Sequence, residues 1–323
     1  MDLWALADLA TPWCLHVVAT LGIADRIVAG ITGVEELAAA SGADRDSLYR
    51  VLRHLVHKGV FEEPSPGRFA LNETAAGLAG EAGRLGFNLD GIGGRMAHAW
   101  GTLLSAVRTG RPAYHEAFGR DFWQDLDAHA DIAASFDALM GPAGHGVPDP
   151  NVLVDPGSWK SVGTVVDVGG GTGALLAEVL RAHPDVRGTL VDLPRAVARS
   201  ASVFQAAGVT DRVTTVGQSF FDPLPAGADL YILKSVLSDW PDREAAAILM
   251  RCAEAARPSG RIVFFTNAGP GEEASPALLM MVLVGGRDRT LEEFRGLARQ
   301  AGLEISAVGR QLSGRVIVEC RPS

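Results

Sequence analysis

The 323-residue chain has few cysteines, no excess of positive charge and no long apolar run, and each absence excludes a class of protein. Its three cysteines, Cys14, Cys252 and Cys320, lie far apart and form no C-x-x-C pair, which favours a reducing compartment over a disulfide framework. The net charge of −9 argues against nucleic acid as the main partner, because phosphate binding needs clustered Lys and Arg. The N-terminus carries acids where a signal peptide needs basic residues, and no run reaches about 18 apolar residues. We therefore expect a soluble, cytoplasmic protein without a membrane segment or structural metal.

The composition of the chain, with 47% hydrophobic and 21% charged residues, is typical of a folded globular protein. Its length suggests about two domains. Residues 1–140 have mostly helical patterns. Residues 141–163 are crowded with Gly and Pro, which neither continue a helix nor sit inside a strand. We place the boundary there, between a helical domain over residues 1–145 and a second domain over residues 146–323.

A winged-helix pattern lies in the N-terminal half. Thr32 and Glu35 have the spacing of a capping box, and Asp44 or Asp46 can cap the next helix. Two short strands around a Ser-Pro-Gly turn follow. The second helix carries five basic side chains that could face DNA phosphates, namely Arg50, Arg53, His54, His57 and Lys58. The same arrangement also serves as a dimerisation scaffold with solvated charges, which we favour because the chain is acidic.

After residue 163, strand patterns alternate with helical ones, which predicts an α/β fold with a parallel sheet covered on both faces. The strand segments are TVVDV, GTLVDL, RVTTVG, ADLYILKSV and RIVFFT. The C-terminus differs, because LEISAV and RVIVEC are joined only by the short segment GRQLSG. This end of the chain predicts an antiparallel hairpin.

The segment VVDVGGGTG, residues 165–173, runs from a strand through a glycine-rich turn into a helix. Glycine lets the chain turn tightly and lets a ligand approach the backbone, although such a cluster alone can be only a tight turn. Asp167 ends this strand, and an anion there repels a pyrophosphate but suits a cation. Asp192 ends the next strand, where a carboxylate can accept both hydroxyls of a ribose. A nucleoside with a positive charge and no phosphates fits both acids, and the residues therefore indicate S-adenosylmethionine.

With these motifs in hand, the chain resembles the bacterial and plant small-molecule O-methyltransferases, the group of caffeate-type and carminomycin-type enzymes. The resemblance covers nearly the whole chain and includes VVDVGGGTG, LVDLPRAV, VGQSFFDPLP, LKSVLSDWPD, RPSGRIVFF and VLVGGRDRTLEEF. It implies a class I methyltransferase sheet of Rossmann-like type with a terminal antiparallel hairpin, preceded by a winged-helix dimerisation and substrate-lid domain. It also implies a homodimer and a small aromatic or polyketide-like acceptor, as in antibiotic biosynthesis.

The same resemblance implies roles for individual residues. The glycines of the loop approach the cofactor, the second acid holds the ribose, and the segment after the third strand of the sheet borders the adenine. The implied cofactor contacts are Gly169, Gly171, Asp192, Leu193, Ser219, Phe220 and Lys234, the last through its backbone. Family members often have an acid where Ser219 stands.

The catalytic positions depart from the family pattern. Ser238 stands where many members have the histidine that deprotonates the acceptor, and a serine hydroxyl is far too weak a base near pH 7. Thr266 stands where a glutamate commonly orients that histidine, whereas Asp288 keeps the third acid. Either the acceptor is acidic or held so close that no base is needed, or the bound cofactor serves hydroxylation, decarboxylation or a pericyclic step. Surrogate bases would come from the helical half, where His98, His115, His145 and Tyr114 stand.

An apolar acceptor pocket is expected beside the cofactor. The segment SPALLMMVLVGG predicts a helix on which Leu279, Met280 and Leu283 are candidate walls, although core packing explains each of them about as well. A winged-helix regulator with a ligand-sensing domain is the alternative from another functional class, and DNA retention at low salt would support it.

Overall fold

The computed structural model describes residues 2–323, which form two compact units. The first unit contains the chain up to His98 together with His129–Gly146, and the second contains Ala99–Ala128 together with Val147–Ser323. The elements before residue 146 are α1 (Leu3–Leu6), α2 (Ala10–Thr20), α3 (Ile23–Val28), α4 (Val34–Ser41), α5 (Arg45–His57), β1 (Phe61–Ser65), β2 (Arg68–Leu71), α6 (Glu73–Ala76), α7 (Gly80–Phe87), α8 (Ile92–Ala99), α9 (Leu103–Thr109), α10 (Tyr114–Phe118), α11 (Phe122–Ala128), α12 (Ala130–Met140) and α13 (Pro142–His145). Of these, α9 to α11 belong to the second unit.

The rest of the second unit alternates strands and helices around one seven-stranded sheet. Its elements are β3 (Thr164–Val168), α14 (Ala174–Ala182), β4 (Arg187–Asp192), α15 (Pro194–Val197), α16 (Ser200–Ala207), β5 (Val213–Gly217), β6 (Leu230–Leu233), α17 (Asp242–Ala256), β7 (Arg261–Thr266), α18 (Leu278–Leu283), α19 (Leu291–Gln300), β8 (Leu303–Arg310) and β9 (Val316–Pro322). The strand order is β5-β4-β3-β6-β7-β9-β8. The first five strands of this order pair in parallel, and β9 runs antiparallel to both β7 and β8, so the parallel sheet and its closing hairpin are confirmed.

The core lies on both faces of this sheet because successive strand residues point to opposite sides. Val166 of β3 packs in one cluster with Tyr231, Phe264 and the apolar sides of α17 and α19. Its neighbour Val165 packs in the other cluster with Leu176 and the apolar side of α14. A strand buried on both sides presents a continuous apolar run, which is the pattern that TVVDV and LYIL showed.

The winged-helix pattern is confirmed within the first unit, where α4, α5 and the β1–β2 hairpin follow one another. Asp44 caps α5 by accepting the backbone N–H of Ser47 at 2.9 Å. The capping box at Thr32 and Glu35 is wrong. Gly33 is the N-cap of α4, and the Thr32 hydroxyl instead accepts a hydrogen bond from Arg68 at 2.7 Å, because Gly33 pairs with Arg68 in an isolated β-bridge.

Several basic side chains on α5 and at its C-cap, Lys58, are paired within the first unit. Arg53 lies 3.0 Å from a carboxylate oxygen of Glu63, and Lys58 lies 2.6 Å from Asp8. His54 Nε2 is 2.8 Å from the Thr11 hydroxyl. Groups already bonded to neighbours are poorly suited to contact phosphates, so this arrangement favours the scaffold interpretation of the winged helix over the DNA-binding one.

Residues 99–128 pack with the second unit, whereas we expected the domain boundary near residue 145 to leave them in the N-terminal half. Helix α9 contacts α18, and Asp127 of α11 accepts a hydrogen bond from Arg195 Nε at 2.7 Å. Local sequence pattern predicts that these residues are helical, but a partner such as Arg195 is 68 residues away from Asp127 in the chain. The assignment to a unit therefore depends on tertiary contacts that periodicity does not encode.

One stretch of the described residues, Leu3–Thr20, is long and apolar enough by composition to cross a membrane. In the structure it consists of two helices, α1 and α2, separated by a break that contains Asp8.

Candidate active site

The turn between β3 and α14 is built on glycines. Gly169, Gly171 and Gly173 have φ values of +69°, +60° and +82°, a region that L side chains rarely adopt. A Cβ atom on Gly169 would lie 2.8 Å from Val236, and one on Gly173 would collide with Phe204. A Cβ on Gly171 would have no protein atom within 4 Å, so this glycine borders open space at the carboxyl end of the sheet.

Asp192 lies at the end of β4 and faces the glycine turn. Its Oδ2 accepts the N–H of Gly171 and its Oδ1 accepts the N–H of Leu193, both at 2.7 Å. Since β3 and β4 are parallel neighbours, their carboxyl ends meet at one edge of the sheet. The structure thus brings together Gly171, Asp192 and Leu193, as expected from their positions after successive strands.

Asp167 is buried under the turn and only 1% exposed. A Cβ on Gly170 would collide with its Oδ2, which has no hydrogen-bond partner among the described residues. Burial raises the pKa of this carboxyl to about 7, the Asp192 charge adds to the rise, and the Lys234 ammonium opposes it. The carboxylate form is therefore costly in the free protein and would be stabilised by a further positive charge nearby.

An aromatic cluster lies beside the turn. The ring of Trp240 is 5.9 Å from that of Phe220 and 5.0 Å from that of Phe221, both in edge-to-face geometry. Phe220 itself lies against Gly169, since a Cβ there would be 3.3 Å from its ring. The Ser219 hydroxyl accepts the N–H of Phe221 at 3.2 Å and so shapes the segment after β5.

Trp240 was missed as a site residue. On its other side, the ring of Trp123 on α11 lies 6.3 Å away and nearly parallel, at 17°. The signal for Trp240 was its place directly after Ser238 and Asp239, whereas Trp123 had no sequence signal that distinguished it from a core aromatic.

Ser238 and Asp239 lie on a single 3-10 turn between β6 and α17. The Ser238 hydroxyl is half-buried and is 3.5 Å from Asp239 Oδ1. Burial raises the pKa of Asp239 to about 7, and the hydrogen bond from Ser238 lowers it in part. Asp239 is therefore a group in this turn that can exchange a proton near neutral pH. The sequence does not show this property, because it results from the burial of the carboxyl in the fold.

Thr266 and Asp288, the other two positions where the family's catalytic residues are expected, lie close to each other at the end of the sheet. Thr266 ends β7, is 7% exposed, and its hydroxyl donates to the carbonyl of Arg289 at 3.4 Å. Asp288, the next residue before Arg289, accepts a hydrogen bond from Asn267 at 3.2 Å. Lys234, at the end of β6, is half-buried; burial and the neighbouring Arg315 charge lower the pKa of its ammonium.

Two of the surrogate bases lie in the second unit and are already paired. The Tyr114 hydroxyl donates to Asp125 at 2.8 Å within the core, and His115 lies 3.9 Å from Asp121 at the surface. His98 and His145 belong to the first unit, where His98 packs 5.1 Å from the Trp13 ring and His145 bonds the Leu139 carbonyl.

The predicted acceptor walls lie on α18, which contacts α9 and the short turn Trp100–Thr102. Leu279 and Met280 are partly exposed, whereas Leu283 is 2% exposed and packs in the interior. Across residues 2–323, no group of three or more His, Cys, Asp or Glu side chains has a geometry that could hold a metal ion.

Known proteins resemble this chain over nearly its whole length. Residues 4–80 match the O-methyltransferase dimerisation domain, and residues 100–304 match the O-methyltransferase domain. The 2,7-dihydroxy-5-methyl-1-naphthoate 7-O-methyltransferase of Streptomyces carzinostaticus is 43% identical over 95% of this chain and 93% of its own. Aclacinomycin 10-hydroxylase of Streptomyces purpurascens is 37% identical over 94% of this chain and 83% of its own.

A solved structure also resembles this chain over its whole length. An O-methyltransferase from neocarzinostatin biosynthesis, crystallised with S-adenosylmethionine and 2-hydroxy-5-methyl naphthoic acid, superposes with a TM-score of 0.91. It is 40% identical and covers 100% of this chain and 99% of its own.

The site also fits the cofactor chemically. The open space beside Gly171, the carboxylate of Asp192 and the unpartnered oxygen of Asp167 suit a ligand with hydroxyl groups and a positive charge. S-adenosylmethionine has both, and it is the cofactor of this enzyme. The chain belongs to the S-adenosylmethionine-dependent O-methyltransferases that carry an N-terminal dimerisation domain.

Proposed function

We propose that this enzyme methylates a phenolic hydroxyl of a small, planar aromatic or polyketide-like acceptor in antibiotic biosynthesis, as a cytoplasmic homodimer. The observation that carries the proposal is the 43% identity to a naphthoate O-methyltransferase over 95% of the chain. The half-buried apolar side chains Leu279 and Met280 on α18 supply the kind of wall that a flat acceptor needs.

The chain's own residues would bind and orient the cofactor. Asp192 is placed to accept the ribose hydroxyls, and the bare backbone at Gly171 leaves room for the ligand. Phe220 and Trp240 offer aromatic faces for the adenine ring. Asp167 supplies a buried negative charge. When bound, S-adenosylmethionine supplies an electrophilic methyl group on a sulfonium centre.

The acceptor proton needs a destination other than a histidine. Asp239 is the titratable group of the turn that carries Ser238, and its raised pKa of about 7 suits a proton acceptor at neutral pH. We therefore assign proton acceptance to Asp239, with the Ser238 hydroxyl as its hydrogen-bond donor. Fixing the acceptor in line with the methyl group contributes as well, since proximity and orientation supply about 7–11 kcal/mol in favourable cases.

Hydroxylation is a second candidate, because the aclacinomycin 10-hydroxylase is 37% identical over 94% of the chain. Single-turnover incubation in air with methyl-labelled cofactor, an added two-electron reductant and a panel of hydroxynaphthoic and hydroxyphenazine acids separates the two. We expect the label to appear on the acceptor oxygen by mass analysis. Turnover of an acceptor that leaves the methyl group on the cofactor and adds oxygen from dioxygen would overturn methyl transfer.

A further inference from the structure

Arg289 is a fully buried cation beside the turn that carries the catalytic positions. Its exposure is 0%, although a buried charge is costly unless paired and hydrogen-bonded. It lies in the segment between α18 and α19, outside every motif role that the sequence suggested. A guanidinium buried this deeply needs specific hydrogen-bond acceptors.

The partners of Arg289 straddle the turn between β6 and α17. Its Nη1 donates to the Leu237 carbonyl and its Nη2 to the Trp240 carbonyl, each at 2.7 Å. Its Nε donates to Asp242 Oδ1 at 2.9 Å, at the first residue of α17. One planar guanidinium therefore fixes the backbone before Ser238, the backbone after Asp239 and the start of the next helix.

The surrounding backbone leaves the turn little freedom to move away. A Cβ on Gly286 would collide with the Ser238 carbonyl, so the segment before Arg289 lies directly against the turn. The Thr266 hydroxyl in turn donates to the Arg289 carbonyl at 3.4 Å. Arg289 thus connects the end of β7, its own segment and the turn in one bonded unit.

We infer that Arg289 is a positioning residue for methyl transfer: its guanidinium fixes the turn on which Asp239 and Trp240 lie, and so sets the direction of the Asp239 carboxyl and of the Trp240 ring. What the turn does chemically rests on the proposed function, whereas the ordering of the turn follows from the contacts alone. Nothing in the guanidinium itself needs to touch the acceptor.

The test uses the full-length enzyme labelled with 5-fluorotryptophan, in which the resonance of Trp240 is assigned by a Trp240→Phe variant. We expect Arg289→Ala to broaden or split the Trp240 resonance and leave those of Trp4 and Trp159 unchanged. Methyl transfer should fall about 10- to 100-fold in kcat, because small misplacements of reacting groups have effects of that size. Added guanidinium ion should restore part of both the Trp240 resonance and kcat. Arg289→Lys should have a Trp240 line width and a kcat between those of the wild type and Arg289→Ala.

Arg212 provides a matched control. Like Arg289 it bonds backbone carbonyls through its guanidinium, here those of Leu180, His183 and Val186, but it lies near the start of β5 and away from the turn. Arg212→Ala should leave the Trp240 resonance unchanged and gain nothing from guanidinium. Should Arg289→Ala fail to fold, Asp242→Asn weakens the contact with Arg289 Nε and the longer one with Arg287, and leaves both carbonyl bonds of Arg289 in place. It should broaden the same resonance to a smaller extent.

The outcomes separate the two proposals. A sharp, unshifted Trp240 resonance in folded Arg289→Ala, or in Asp242→Asn if Arg289→Ala does not fold, would overturn the positioning role whatever the activity. A broadened resonance in an enzyme whose wild type transfers no methyl group would leave the positioning role intact and overturn the proposed function instead.

Discussion

At the scale of single residues, Asp192 combines two tasks, because it holds the glycine turn and faces the proposed ribose site. We predict that Asp192→Ala weakens the binding of S-adenosylhomocysteine at least about tenfold, equivalent to ~1.4 kcal/mol. The reason is the loss of charge-assisted hydrogen bonds of roughly 1.5–3 kcal/mol each. Isothermal calorimetry measures the change, and Asp211→Ala, an exposed acid before β5, is the control. Unchanged affinity in Asp192→Ala would show that the ribose lies elsewhere.

The second residue-scale prediction concerns Asp167 and pH. Its pKa is about 7 in the folded protein against about 3.9 in an unfolded chain, so between these values only the unfolded state loses its proton. The free energy of unfolding of the cofactor-free protein should therefore fall as pH rises from 4 to 7, by up to about 4 kcal/mol from this group. Asp167→Asn cannot titrate, and its stability relative to wild type should increase over that range in urea denaturation.

Asp229, which directly precedes β6 and contacts the start of β3, the strand that carries Asp167, is the control with the opposite sign. It accepts hydrogen bonds from Gly163 and Thr164, which hold the pKa of its carboxyl below the usual range. Asp229→Asn should lose stability relative to wild type as pH rises from acid, because the stabilising carboxylate forms there. If Asp167→Asn behaves in the same direction as Asp229→Asn, the buried Asp167 is not protonated in the free enzyme.

At the scale of elements, the strands of the sheet could be predicted because each central strand is apolar on both faces. The glycine turn could be predicted because three positive φ values leave little choice of residue. The role of Thr32 could not be predicted, since its hydroxyl accepts a hydrogen bond from Arg68, which is 36 residues away in the chain. Arg289 and Trp123 could not be found either, because their roles depend on contacts between segments distant in the chain.

The turn between β6 and α17 is also where the family histidine can be restored. We predict that Ser238→His with Thr266→Glu raises the rate of methyl transfer to phenols of ordinary acidity, because a neutral imidazole near its pKa can take the proton. Ser238→His alone should help less, since an unoriented ring seldom points at the acceptor. Single-turnover transfer of labelled methyl to phenols of graded pKa measures the change.

Asp239→Asn is the counterpart to that double variant. It should lower transfer by about 10²-fold or more if Asp239 takes the proton, and the loss should be smallest for the most acidic phenols. The double variant should then recover activity in the Asp239→Asn background. A rate that depends neither on the phenol pKa nor on the Asp239 substitution would mean that orientation alone accounts for the acceleration.

At the scale of the whole molecule, the sequence predicted two halves but not their composition. The Gly- and Pro-rich stretch after residue 140 does mark the return of the chain to the second unit, at Val147. The helices α9 to α11 already belong to the sheet-containing unit, where α9 contacts α18 and Asp127 of α11 bonds to Arg195. Helical periodicity shows that an apolar face exists and does not show which other face it meets.

The first helices leave large apolar side chains in solvent, which a soluble single chain seldom does over a continuous stretch. Leu3, Trp4, Leu6 and Leu9 are between 64% and 82% exposed. Residues 4–80 match the dimerisation domain, so we propose that a second copy of the chain covers these side chains. Burying a Leu- or Phe-sized side chain contributes about 1.5–3 kcal/mol, enough for several of them to decide the assembly.

We therefore predict that Trp4→Glu with Leu9→Glu raises the dimer dissociation constant at least about 100-fold, or about 2.7 kcal/mol, since two apolar contacts are lost and two charges must be buried. Sedimentation velocity over a concentration series measures the constant. Leu312→Glu is the control, because Leu312 is even more exposed but lies on the turn of the β8–β9 hairpin. The control should dimerise like wild type. A Trp4→Glu, Leu9→Glu variant that stays folded and dimerises as tightly as the control would place the dimer interface on a different surface.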